Sequence, residues 1–256
     1  MLPEDAYALL FLVNYDLFED DDNTFVCGRA YGGSRVAVVS SARYSPDLDG
    51  IQSVERQHVW PASHCENYMS ACCKSSQGGT MQKQRKYKDA EESKNGQPVQ
   101  NAPLALLKAA LSASYTLPDV DSSPPSLLSA LWLGRVCRTA SHELGHCFGI
   151  EHCVYYACVM QGSASLSEDA RQPPYLCPVD LAKILCATGM TASQRYLALL
   201  AHCERPYNKG THFFSTFAAW IHSRLKEMGD GGIPQLRLEF SKPGFTCYGQ
   251  SVMLHT

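Results

Sequence analysis

The chain has 256 residues, of which 45% are hydrophobic and 18% are charged, and its formal net charge at pH 7 is −3. This balance is typical of a globular protein with a sizeable core, and the small negative charge does not favour nucleic-acid binding. No segment reaches the roughly 18 uninterrupted apolar residues of a transmembrane helix, so we expect no membrane partner.

The amino-terminal part of the sequence predicts a small sheet. Short apolar runs at residues 7–14, 25–31 and 35–41 predict three strands, and Gly32-Gly33-Ser34 predicts a tight turn between the last two. Residues 74–101 are dominated by Lys, Gln, Ser, Gly and Glu, with few large apolar groups. Such a segment cannot form a core, so we expect a disordered insertion there.

The remainder of the sequence predicts helices. Residues 103–114 have helical spacing, and the proline-bounded stretch 118–125 interrupts the chain. A long apolar helix is predicted from Ser126 into a histidine-rich motif, and two amphipathic helices follow at 189–203 and 213–228. We therefore expect one α+β domain over residues 1–228, interrupted by the insertion, and a tail over 229–256.

The histidine-rich motif is His142-Glu143-x-x-His146-x-x-Gly149-x-x-His152. Residues i and i+4 share one helix face, so His142 and His146 can direct two ring nitrogens at one ion. Gly149 can adopt a positive φ, which would end the helix and return the chain toward the ion with His152 as third ligand. Three protein ligands leave one tetrahedral position open, which is typical of a catalytic zinc site.

The residues after the third histidine add Cys153, Cys158, Met160 and Cys177. Together with the histidine motif they resemble the archaemetzincins, a branch of the metzincin zinc metallopeptidases. Segments 3–6, 15–18, 25–30, 41–44 and 195–200 are also similar to that family, so the resemblance covers roughly residues 3–48 and 125–228. The likeness is to a eukaryotic member with a shortened amino terminus, since the family has a strand and a helix ahead of the position of Met1.

The resemblance implies a metzincin-like zincin fold, with a small twisted mixed sheet packed on a long zinc-binding helix and a helical carboxy-terminal portion. It implies a catalytic zinc on His142, His146 and His152, with Glu143 as general base toward zinc-activated water. Met160 would form the Met-turn beneath the imidazoles. The implied activity is peptide-bond hydrolysis, in an aminopeptidase-like form, on a peptide or protein substrate.

The resemblance also implies a second, structural zinc on Cys153, Cys158 and Cys177. The family's fourth cysteine, three residues after Cys177, is replaced by Asp180. Asp180 is one candidate for the fourth ligand, and Cys186 is another. In the alternative, Cys177 caps a helix whose first residue is Pro178, Asp180 is favoured there by the helix dipole, and the thiols are buried without a metal.

Two functions from different classes remain open at this point. The first is a zinc metallopeptidase, which the carboxylate directly after a ligand favours. The second is a catalytically silent zinc-binding protein that holds a peptide or protein partner, which the departure at Asp180 favours. Twelve cysteines without a recognisable secretory signal favour the cytoplasm or nucleus, and we expect a monomer.

Overall fold

A computed structural model of the chain describes residues 6–18, 25–31, 34–64, 102–117 and 125–230. The architecture is α+β, with one small sheet and predominantly helical structure elsewhere. The strands are β1 (Leu9–Val13), β2 (Gly28–Tyr31) and β3 (Val36–Ser40). The insertion predicted at 74–101 and residues 231–256 of the predicted tail lie outside the described residues.

The sheet is mixed and has the order β1-β3-β2. β2 pairs antiparallel with β3, as expected from the predicted turn, with Gly28 opposite Val39 and Tyr31 opposite Val36. β1 pairs parallel with β3, with Leu9 opposite Val36. β3 therefore lies in the centre and β2 at one edge, which confirms the small mixed sheet and the three predicted strands.

Six helices lie in the described ranges. They are α1 (Ala102–Tyr115), α2 (Pro125–Cys147), α3 (Leu166–Arg171), α4 (Pro178–Thr188), α5 (Ala192–Cys203) and α6 (His212–Asp230). Single 3-10 turns occur at Ala42–Tyr44, Pro46–Leu48, Arg56–His58 and Ala62–His64. The helices predicted at 103–114, from 126 onward and at 213–228 are confirmed. The last one extends two residues beyond the predicted end, to Asp230. The helix predicted at 189–203 begins three residues later, at Ala192, because Gly189 ends α4.

The helix α2 connects the sheet with the helical part of the molecule. Its Val136 packs in a small core with Val39 of β3 and with Tyr44 and Leu166. A larger core lies on the helical side, where Ile150, Met160 and the side chains of α4, α5 and α6 are buried together. None of the helices in the described ranges combines the length and apolarity needed to span a bilayer.

Polar contacts fix α2 against the loop that follows β3. Arg135 donates to both carboxylate oxygens of Asp49, at 2.6 and 2.9 Å, and this ion pair is buried. Arg56 donates to the same carboxylate at 2.7 Å. Trp132 of α2 donates its indole N–H to the Ser41 carbonyl at 2.8 Å. These contacts set the position of the helix that carries the histidine motif relative to the sheet.

Candidate metal centres

The end of α2 has the local structure expected from Gly149. Its φ is +75°, and the Ile150 amide donates to the Gly145 carbonyl at 3.2 Å while the Gly149 amide donates to the His146 carbonyl at 2.9 Å. This pair of hydrogen bonds is a Schellman motif, which satisfies the last carbonyls of a helix and reverses the chain. The reversal brings His152 back to the face of α2 that carries His142 and His146.

The three imidazoles meet at one point. The Nε2 atom of His142 lies 3.0 Å from Nε2 of His146 and 3.3 Å from Nε2 of His152. One ring nitrogen from each of the three lies within 4.8 Å of the other two. Nitrogen ligands at the usual zinc distance, in a tetrahedral arrangement, lie about 3.3 Å apart. The spacing of these atoms therefore suits a single zinc ion.

Hydrogen bonds on the other side of the rings support the same conclusion. Nδ1 of His142 donates to the Val159 carbonyl at 2.7 Å, and Nδ1 of His146 donates to the Ile150 carbonyl at 2.6 Å. A carbonyl oxygen only accepts, so these bonds leave the Nε2 lone pairs available in the neutral rings. Burial lowers the pKa of His142 to about 4, against the Val159 hydrogen bond, which raises it. Lone pairs at 3.0 Å repel each other, and a cation between them removes that repulsion.

Glu143 points from α2 toward the edge strand β2 and is only 6% exposed. Burial raises the pKa of its carboxyl to about 7, against the positive charge of Arg29 and a hydrogen bond from the Ala30 amide, which both lower it. A methyl group built on Gly28 would lie 2.5 Å from Oε1 of Glu143. The missing side chain at Gly28 thus makes room for this carboxylate against the strand.

Met160 is fully buried and packs against α2 at Gly145. A methyl group built on Gly145 would lie 2.4 Å from its sulfur and 2.9 Å from its terminal carbon. The Met160 carbonyl accepts from the Cys153 amide at 2.8 Å, which closes the loop that carries His152. Met160 is thus packed against α2 at the residue before His146.

A second cluster lies directly after His152 in the chain. The thiol sulfurs of Cys153 and Cys177 are 4.0 Å apart, and Oδ2 of Asp180 lies 3.3 Å from the sulfur of Cys177 and 3.5 Å from that of Cys158. Ligands at usual zinc distances in a tetrahedron have sulfur–sulfur edges of about 3.8 Å and sulfur–oxygen edges of about 3.5 Å. The four residues therefore fit one zinc ion as well.

The structure also bears on the alternatives at Asp180. Cys186 is exposed and does not belong to the cluster, whereas Asp180 is buried within it. Cys177 is the N-cap of α4 and its sulfur accepts from the Asp180 amide at 3.4 Å, as the capping alternative required. Capping and metal ligation use different parts of Asp180, since the amide caps and the carboxylate faces the thiols. Burial raises the pKa of both the Cys158 and the Cys177 thiols.

The sequence identified the side chains that converge in the two clusters but missed the groups that orient them. Beside Glu143 these groups are Gly28 and the Ala30 amide, which lie far from the motif in sequence. Beside the histidines they are the backbone carbonyls of Ile150 and Val159. Spacing within a motif contains no information on them. Only Gly28 offered a side-chain cue, and its significance depends on the approach of α2 to β2.

Comparison with known proteins finds a matching family model and several similar curated relatives. Residues 80–185 match the family model described as Peptidase family M54. Archaemetzincin-2 of Homo sapiens is 31% identical over 198 residues, which are 77% of this chain and 41% of that protein. Archaemetzincin-1 of Rattus norvegicus is 29% identical over 197 residues, which are 77% of this chain and 30% of that protein.

The chain thus spans well under half the length of the curated relatives that it matches. A crystal structure of a zinc-dependent peptidase from Methanocorpusculum labreanum is also similar, with 19% identity over 69% of this chain and 53% of that chain. The TM-score of this pair is 0.36, which is too low to assign the fold.

Proposed function

Since the chain belongs to the archaemetzincin family, peptidase family M54, we propose that it is a zinc metallopeptidase that hydrolyses peptide bonds in peptide or protein substrates. The observation that carries the proposal is the convergence of the three Nε2 atoms beside a buried carboxylate. His142, His146 and His152 would hold the catalytic zinc. A binding protein would gain nothing from a base one residue after a ligand.

The chemistry divides between the ion and the chain's own groups. A bound zinc ion supplies Lewis-acid polarisation of the scissile carbonyl and lowers the pKa of water that it binds. Glu143 is the general base: its carboxylate accepts the proton of the attacking water and then delivers it to the leaving amine. Burial is favourable for this task, because it raises the pKa of the Glu143 carboxyl toward neutral pH, where the group can both accept and release a proton.

The backbone hydrogen bonds keep the ligands ready. The Val159 and Ile150 carbonyls fix the tautomer and the orientation of His142 and His146, so the rings lose less conformational entropy when they bind. Met160, packed against Gly145, supports the loop from below. We propose that this support is the role of Met160 as the Met-turn of a metzincin-like fold.

Several narrower proposals accompany this function. A second, structural zinc would be held by Cys153, Cys158, Cys177 and Asp180. Residues 1–228 would form one catalytic domain, and residues 229–256 would form a tail. The protein would act as a monomer in the cytoplasm or nucleus, without a nucleic-acid partner. Aminopeptidase-like cleavage would appear as faster hydrolysis of peptides with a free amino terminus than of the same peptides acetylated.

The central experiment compares the parent protein with Glu143→Gln and His146→Ala. Glu143→Gln retains the shape of the side chain and should retain zinc, while peptide hydrolysis falls about 10²- to 10⁴-fold, the usual contribution of a general base. His146→Ala should lose the ion, as measured by elemental analysis. If Glu143→Gln hydrolyses peptides at the parental rate, the catalytic assignment is wrong. Zinc without hydrolysis in the parent would favour the silent zinc-binding protein instead.

A further inference from the structure

The carboxylate of Asp180 directs its two oxygens in different directions. Oδ2 faces the sulfurs of Cys158 and Cys177 at 3.5 and 3.3 Å. Oδ1 accepts a hydrogen bond from Nζ of Lys183 at 3.1 Å. One oxygen is thus positioned for the metal and the other is held by a cation outside the site.

The local structure explains how Lys183 reaches this oxygen. Asp180 and Lys183 are three residues apart in the first turns of α4, so their side chains share one face of the helix. The Asp180 side chain is 6% exposed, whereas that of Lys183 is 50% exposed. The ammonium group therefore reaches a buried carboxylate from the solvent side, and its own hydration remains largely intact.

The charge of the site gives this contact a function. Three thiolates and one carboxylate around a divalent cation have a net charge of −2, and part of the carboxylate charge lies on Oδ1, the oxygen that faces away from the thiols. A positive group on that oxygen offsets part of the excess and hinders the carboxylate from turning away. A cysteine at this position has only one ligand atom, its sulfur, so Lys183 would have no further acceptor to hold.

We propose that Lys183 is a positioning residue of the Cys153–Cys158–Cys177–Asp180 site, which orients the carboxylate of Asp180 so that Oδ2 ligates the structural zinc. The inference rests on the second zinc of the proposed function, and adds the group that makes an aspartate effective in place of a fourth thiolate. An ordinary exposed ion pair in the same place would contribute to helix stability only and would leave metal affinity unchanged.

Cobalt(II) provides a readout specific to this site. Thiolate-bound Co²⁺ has charge-transfer absorption in the near ultraviolet, and a site of three imidazoles has none. The metal-free 256-residue protein is titrated with Co²⁺, and Zn²⁺ affinity is then measured by displacement of this absorption. Cys158→Ser should weaken the thiolate absorption, since one of the three thiolates is removed, and this change would assign the signal to the cluster.

Lys183→Met should lower Zn²⁺ affinity of this site by about tenfold, the lower end of the effect of groups that orient metal ligands. Lys183→Arg should restore most of the affinity because it retains a cation on the same helix face. Lys226→Met, an exposed lysine on α6, is the matched control and should leave the affinity within about twofold of the parent. Parental affinity in Lys183→Met would overturn the proposal.

The Asp180→Cys background tests whether Lys183 acts through the second oxygen. There, Lys183→Met should change the affinity by less than about twofold, since no oxygen remains to be held. An equal loss in both backgrounds would mean that Lys183 acts as a general charge, which contradicts the positioning role. Absence of thiolate absorption in the parent would overturn both the second site and the role of Lys183. Peptide hydrolysis is not used in these assays, so failure of the peptidase proposal is recognised separately.

Discussion

The contact between Gly28 and Glu143 leads to a quantitative prediction about catalysis. In Gly28→Ala, the new methyl carbon would lie 2.7 Å from Cγ and 2.5 Å from Oε1 of Glu143. Carbon atoms in good contact are about 3.5 Å apart, so either the carboxylate or the strand must move by about 0.8 Å. A misplacement of this size at a catalytic group can cost on the order of 100-fold in rate. We therefore expect kcat to fall about 100-fold.

The other properties of this variant should change little. The backbone of Gly28 has no positive φ, so alanine is not strained there, and Glu143 is not a zinc ligand in our assignment. Zinc content should remain that of the parent, and KM should change less than kcat because the base acts on the transition state. Peptide hydrolysis under steady-state conditions, with elemental analysis of the same samples, measures all three quantities.

Gly50→Ala is the matched control. A methyl group built on Gly50 meets nothing within 4 Å, so its effect reports only the general consequence of replacing a glycine by alanine. This control should hydrolyse peptides at the parental rate. Parental kcat in Gly28→Ala would contradict the prediction, because β2 would then have moved outward at no cost to the base. A loss of activity that follows a loss of zinc would contradict it as well.

Two further predictions concern stability and metal removal. Thr191 and Gln194 form a capping box at the start of α5, so Thr191→Ala should destabilise the fold by about 1 kcal/mol, seen as a fall in Tm of about 2–4 °C; an unchanged Tm would contradict the cap. Removal of zinc by a chelator should make three thiols accessible to alkylation together, as counted by mass spectrometry: those of Cys153, Cys158 and Cys177. The exposed Cys186 should react with or without zinc. Equal labelling of the three thiols before and after chelation would argue against a metal at this site.

The sheet shows which features of the fold local sequence patterns can predict. Apolar runs and turn residues predicted three strands and the antiparallel pairing of β2 with β3, which adjoin in sequence. The parallel pairing of β1 with β3 does not follow from such patterns, because it depends on the path of the chain between the two strands. Helices α3 and α4 were not predicted as complete elements either, since short helices between loops have little periodicity.

Local sequence properties limit which side chains can meet at the histidine cluster. The i, i+4 spacing and a glycine able to adopt a positive φ restrict where His142, His146 and His152 can lie. These restrictions are local and do not depend on how the rest of the chain packs. Packing of the whole chain settles the other contacts: Gly28 makes room for Glu143, and Asp180 instead of Cys186 joins the thiols. These contacts join segments distant in sequence or depend on side-chain direction, and both are fixed only when the core packs.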